Sequence, residues 1–189
     1  MTDDVRRHLA QIPALTGTAP SLDLDGLPDD PMALFLTWLD QAVDAEVAEP
    51  RTMTLATAGA DGLPDARMLI LKDAGERGFA FASTASSRKG AQVSENPAAA
   101  LNFWWQPQAR AVRVQGPVVE ADAAESAADL AARSPEAQSL VAEGDWRLWW
   151  VRPERIEFWQ GSPDRKHLRI VYTPDDAGWR HDIGRADGS

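Results

Sequence analysis

The apolar positions of the chain change period as it proceeds. Leu34, Phe35, Trp38, Leu39, Ala42 and Val43 recur at helical spacing behind Asp30 as a cap and Pro31 at the first helical position. That pattern predicts one amphipathic helix ending before Pro50. The period then shortens to that of strands: TMTLATA at 52–58, ARMLILK at 66–72 and FAFAST at 79–84, joined by the turn sequences GADGLPD and DAGERG. Short strands with short Gly-bearing turns predict an antiparallel meander. SSRKGAQVSENP reads as a short helix with Ser86 or Ser87 near its cap and a stop at Pro97. AALNFWW and ARAVRVQGPVVEA predict two further strands around a turn at Pro107, and DAAESAADLAARSPEAQSLVAEG a helical interruption. RIEFWQ, RKHLRIVYT and GWRHDI then resume the sheet. The fold class predicted is mainly β with flanking helices, its strands arranged as a closed or partly closed barrel rather than an open sheet. Residues 1–29, rich in Asp, Pro, Gly and Thr, read as a mobile leader, with order beginning at Asp30 and a single domain over 30–189.

Composition narrows the chemistry. The formal charge is 19 − 29 = −10, which disfavours general affinity for nucleic acid or anionic membranes, so a bound anion would need a locally basic pocket. With no cysteine, disulfides and thiolate metal sites are excluded, and redox chemistry would have to come from a cofactor. The three histidines, His8, His167 and His181, show no metal-ligand spacing, so no metal site is predicted. No segment approaches the ~20 apolar residues of a membrane span, and a cytoplasmic location is expected. Of eight tryptophans, Trp104 with Trp105 and Trp149 with Trp150 occupy adjacent positions and so turn aromatic surface to both sides of their strands. Such a face needs a cover, which predicts a homodimer.

Three basic clusters stand against the acidic background: Arg67 with Lys72, Arg88 with Lys89, and Arg165 with His167 and Arg169. Arg88 and Lys89 fall in the first turn of a predicted helix, where the macrodipole disfavours cations by ~0.3–1 kcal/mol. A phosphate reverses that sign, because the free N–H groups of the helix start, two cations and the hydroxyls of Ser83, Thr84, Ser86 and Ser87 together form an anion site. Arg67 and Lys72 are five apart, on opposite faces of a regular strand, and reach one ligand only through a bulge or past the strand's end. On an extended chain, Arg165, His167 and Arg169 would share one face, which either meets water or holds an anion.

ARMLILK, the hairpin to FAFASTASSRKG, RIEFWQGSPDRKHLR and a final strand with Trp179 resemble the pyridoxamine 5'-phosphate oxidase family over about Asp30 to His181. The resemblance implies a homodimeric split β-barrel that binds FMN at the subunit interface. It implies oxidation of the 4' amine or alcohol of a phosphorylated B6 vitamer, with dioxygen as acceptor and hydrogen peroxide released. It assigns Arg67, Arg88, Lys89 and Ser83 to the FMN phosphate and ribityl region, and the backbone of Met68, Leu69, Ile70 and Leu71, running on to Lys72, to the isoalloxazine ring. Trp159 and Arg169 would approach the flavin from the other subunit. Lys72 and Arg133 would hold the substrate phosphate, and Arg165 and His167 would face the pyridine ring as the catalytic pair.

The sequence also departs from that pattern. Ala111 replaces a glutamine that contacts the flavin ring, and Asp129 and Ala137 stand where a tyrosine and a serine hold the substrate phosphate. A stretch after Gln138 that carries a Gln-Ser pair to the FMN phosphate is missing, leaving SLVAEGDWRLWWVRP to connect Gln138 to Arg155. Each lost charge-assisted bond is worth about 1.5–3 kcal/mol, which weakens the case for a phosphorylated substrate more than the case for FMN. Two alternatives follow: an FMN oxidase or reductase of the same family acting on another ring system, non-phosphorylated or phenazine-like, or a flavin-binding protein without turnover.

Overall fold

The computed structural model describes residues 2–186. After helix α1 (Thr2–Gln11) and an irregular segment comes α2 (Pro31–Asp44), then the strands β1 (Thr52–Ala58), β2 (Pro64–Ile70), β3 (Asp73–Gly75) and β4 (Gly78–Thr84). Helix α3 (Arg88–Glu95) leads to β5 (Ala98–Trp105) and β6 (Arg110–Glu120), with a short 3-10 turn at Gln106–Gln108 between them. Helices α4 (Ala123–Ala131) and α5 (Pro135–Ser139) precede β7 (Trp146–Val151), β8 (Arg155–Gln160), β9 (His167–Asp175) and β10 (Gly178–Ala186).

All pairings are antiparallel, in the order β10-β9-β8-β6-β5-β1-β2. Strand β6 belongs to two layers. Its residues 110–115 pair with β8, while Val118–Glu120 pair with β7, which continues through β4 to β3. The switch falls at Gly116, where an added Cβ would lie 1.8 Å from the Arg152 carbonyl oxygen, so only glycine allows the crossing. The two layers curl around one core that α2 closes with Phe35 and Trp38, both almost fully buried. Phe35 meets Phe79 edge-on at 4.8 Å, and Trp38 meets Phe158 at 5.2 Å. Asp30 accepts the Met32 N–H at 2.9 Å and Pro31 opens the helix, as its sequence predicts.

Several elements differ from their predicted form. Strand β7, expected only as an unbounded strand carrying Trp149 and Trp150, could not be delimited because WRLWWV has no alternation; four of its six residues are buried, so no polar face marks it. The expected helical stretch over 122–144 consists of two helices, because Pro135 lacks an N–H and disfavours helical geometry at Ser134, which instead caps α5. Packed order also starts before Asp30. Thr18 donates its N–H to the Pro107 carbonyl, Tyr172 its hydroxyl to the Pro28 carbonyl at 2.9 Å, and Leu22, Leu24 and Leu27 pack on the core. Trp149 and Trp150 are covered within the chain, Trp149 by Phe81 at 5.4 Å and Trp150 beneath the Arg77 guanidinium at 4.5 Å. Of the two adjacent tryptophan pairs only Trp104 stays exposed, on the same outer sheet face as exposed Met68 and Ile70.

Candidate functional site

The first basic group forms where β2 meets α3. Asp65 and Arg67 are two apart on one face of β2, and Arg67 turns inward. Its guanidinium donates to Thr57 Oγ1 at 2.6 Å, to Gln92 Oε1 at 3.0 Å and to the Leu55 carbonyl at 3.3 Å. The Asp65 carboxylate lies 2.7 Å from Arg67 and 3.0 Å from Arg88. Partial burial opposes its charge, but the two guanidinium groups outweigh that and hold the carboxyl below the usual aspartate range. Ser87 caps α3 by accepting the Gly90 N–H at 3.2 Å, and its hydroxyl lies 3.3 Å from Lys89 Nζ and 3.4 Å from Ser83 Oγ. Burial, then the nearby Arg67 charge, lowers the Lys89 pKa. Three cations against one carboxylate leave this contact set at formal +2, close to what a phosphate monoester of about −1.5 to −2 neutralises. The donor set therefore fits the phosphate end of FMN.

The second group lies beyond the end of β2. The chain leaves its partner after Ile70, and the Lys72 N–H bonds to the Ala80 carbonyl of β4 at 2.9 Å. Lys72 and Arg67 thus occupy different layers and different side-chain groups. Lys72 Nζ is 3.1 Å from Asp129 of α4, and the same carboxylate accepts the Trp146 indole N–H at 2.9 Å. The Arg133 guanidinium stacks on Trp146 at 4.4 Å. Sequence reasoning named Lys72, Asp129 and Arg133 but missed Trp146, the first residue of β7.

The third group lies on the outer sheet face. Ala111 pairs with Trp104 on one side and Trp159 on the other, and its small side chain lets the two indoles approach to 6.1 Å. His167 lies against Trp159 at 4.9 Å and accepts the Ser162 N–H on Nδ1 at 3.0 Å. In the neutral imidazole that leaves Nε2 as the N–H donor. His167 and Arg169 share this face, but Arg165 does not: β9 starts at His167, and Arg165 sits in the preceding turn with φ +63°. Its N–H closes that turn on the Ser162 carbonyl at 3.0 Å, so the expected three-residue strand face is corrected to two residues plus an exposed turn arginine.

Glu157 was also missed. It is 2% exposed, accepts from Arg113 and from Arg155 at 2.6 Å, and lies 3.7 Å from Arg169. Burial opposes its charge, yet the hydrogen bonds from Arg155 and Arg113 dominate and lower its pKa. Nothing local marked it, since Arg113 comes opposite Glu157 only through the pairing of β6 with β8.

The Arg67 group and the Trp159–His167–Arg169 group are four to five strands apart in the sheet order. At ~4.8 Å per strand that is roughly 20 Å measured along the curled sheet.

Comparison with known proteins gives two family matches: pyridoxamine 5'-phosphate oxidase over residues 39–160, and the pyridoxine 5'-phosphate oxidase C-terminal dimerisation region over 146–183. A pyridoxine/pyridoxamine 5'-phosphate oxidase of Salinibacter ruber is 38% identical over 188 residues, covering 82% of this chain and 87% of the relative. The protein of that name from Paraburkholderia phymatum is 39% identical over 191 residues, covering 84% and 90%. Among solved structures, PhzG from Burkholderia lata 383, in complex with tetrahydrophenazine-1-carboxylic acid, superposes with TM-score 0.82 at 24% identity, covering 89% of this chain and all of that one. A pyridoxamine 5'-phosphate oxidase-related, FMN-binding protein of Nostoc punctiforme gives TM-score 0.62 at 17% identity over 82% and 96%. At those identities the two structures establish the fold. Among the described residues no helix is long and apolar enough to cross a membrane.

Proposed function

The chain belongs to the pyridoxamine 5'-phosphate oxidase family, and from that premise we propose that it is a homodimeric, FMN-dependent oxidase of a pyridoxine- or pyridoxamine-type substrate. The reaction proposed is that of its named relatives: oxidation at the 4' carbon to the aldehyde, with dioxygen as acceptor. The observation that carries the reading is the formal +2 grouping at the start of α3, where Arg67 and Arg88 flank Asp65 and Lys89 lies on the Ser87 hydroxyl.

When bound, FMN would supply the hydride acceptor and the route for electrons to dioxygen. The chain supplies binding and orientation. Arg67, Arg88, Lys89 and Ser83 would hold the FMN phosphate, and the backbone of Met68 to Leu71 would run beside the ring. Trp159 and Arg169 would come from the partner subunit, a division that the matched dimerisation region fits. Lys72 and Arg133 would meet the far end of the substrate. His167, fixed by the Ser162 N–H with Nε2 free to donate, and Arg165 from its turn would orient the substrate ring and stabilise charge on it.

Native mass spectrometry of the purified yellow protein tests the assembly and the cofactor together. The expected species is a dimer carrying two FMN. A monomer that retains a full complement of FMN would contradict the shared site, because one chain would then supply every flavin contact.

A further inference from the structure

The group around Asp129 fixes a charge rule for the substrate. We infer that Asp129 makes the Lys72–Arg133 subsite selective for a singly charged, planar anion such as a carboxylate, against a phosphate monoester. The inference rests on the proposed role of Lys72 and Arg133 at the substrate's far end, and it deepens that proposal by naming the substrate class.

Lys72 already has an anion, the Asp129 carboxylate at 3.1 Å, with the two side chains only 28% and 14% exposed. Asp129 cannot swing aside without loss, because the Trp146 indole N–H holds it at 2.9 Å. Nor does a neighbouring acid add to the count: Glu125, one turn earlier on α4, is engaged by Arg77. The set of Lys72, Asp129 and Arg133 therefore carries formal +1. Arg133 is the cation left over. Its guanidinium face is covered by Trp146, and it has no hydrogen-bond acceptor among the described residues, which leaves the in-plane N–H donors available. That planar fork matches a carboxylate in bidentate geometry. A phosphate ester near −2 would overfill the +1 set and bring its second charge against the Asp129 carboxylate. The contrast with the +2 set at Arg67, Arg88 and Lys89 is internal to the molecule: one site is charged for a phosphate, the other is not.

The test uses FMN-loaded protein and two ligands, pyridoxine 5'-phosphate and the pyridoxine analogue with a carboxylate at its 5' carbon. Equilibrium dialysis measures binding without requiring turnover. The wild type is expected to bind the carboxylate at least tenfold more tightly. Asp129→Asn keeps an acceptor for Trp146, raises the set to +2 and is expected to tighten the phosphate ester at least tenfold. Equal or tighter binding of the phosphate ester by the wild type, binding of neither ligand, or an unchanged ratio in the variant overturns the inference. The wild-type ratio alone is decisive if the variant folds poorly. Anaerobic flavin reduction measured alongside reports on the oxidation separately: carboxylate preference without reduction would sink the proposed reaction while leaving the charge rule in place.

Discussion

Replacing Arg88 and Lys89 together by alanine is expected to give a folded but largely colourless protein, with FMN affinity lowered by two orders of magnitude or more. Neither side chain contributes to the core. Arg88 is 78% exposed and ends on Asp65, while the Lys89 ammonium, among the described residues, lies on the Ser87 hydroxyl. Folding should therefore survive their loss. The site should not, because its contact set would fall from +2 to neutral, Arg67 alone remaining to balance Asp65. Two charge-assisted contacts at about 1.5–3 kcal/mol each amount to ~3–6 kcal/mol before relaxation, or roughly 10²–10⁴ in affinity. Flavin fluorescence titration beside a thermal melt separates the two effects. Unchanged affinity in a folded variant would remove the phosphate assignment.

The second large effect concerns the turn before β9. Arg165 holds φ +63°, a conformation that costs a residue with a Cβ ~1–2 kcal/mol and glycine almost nothing. Arg165→Gly therefore deletes the guanidinium while relieving the backbone, and the turn closed by the Arg165 N–H onto Ser162 is preserved. The expected outcome is a protein at least as stable as the wild type whose flavin is reduced ~10–100-fold more slowly by substrate, the signature of strain kept for function. His167→Ala is expected to slow reduction by a similar or larger factor, since it removes the free Nε2–H and one wall against Trp159. Stopped-flow reduction rates with melting temperatures check both variants. A slower rate that follows lost stability in Arg165→Gly would mean that the turn, not the guanidinium, matters.

Much of this was legible from local pattern. The α2 cap at Asp30, β1 over 52–58 and β8 over 155–160 follow directly from side-chain periodicity and capping chemistry, as does the α3 cap to within the choice of Ser86 or Ser87, which the fold resolves to Ser87. What failed was of two kinds. Strand β7 is buried on both faces and so carries no alternation, and the expected β9 ran through a turn whose left-handed residue is an arginine rather than the glycine that would have marked it. The site divides the same way. The individual cations were readable, because charge is conspicuous in an acidic chain. Their partners were not. Asp65, Gln92, Trp146 and Glu157 become part of the site through pairings across 17 to 44 residues of sequence. Asp129 shows the consequence: on sequence it stands as a lost tyrosine, whereas in the fold it is the counter-ion of Lys72.

The most direct test of the proposed function is anaerobic mixing of the FMN-loaded protein with pyridoxine and pyridoxamine, their 5'-phosphates and the 5'-carboxylate analogue. The prediction is that at least one bleaches the visible flavin band, fastest with the carboxylate, with one equivalent of aldehyde formed (and ammonia from an amine, with water consumed), and that admitting dioxygen restores the band with one equivalent of hydrogen peroxide. A dimer that binds FMN stoichiometrically yet keeps its flavin oxidised with every member of that set would contradict it.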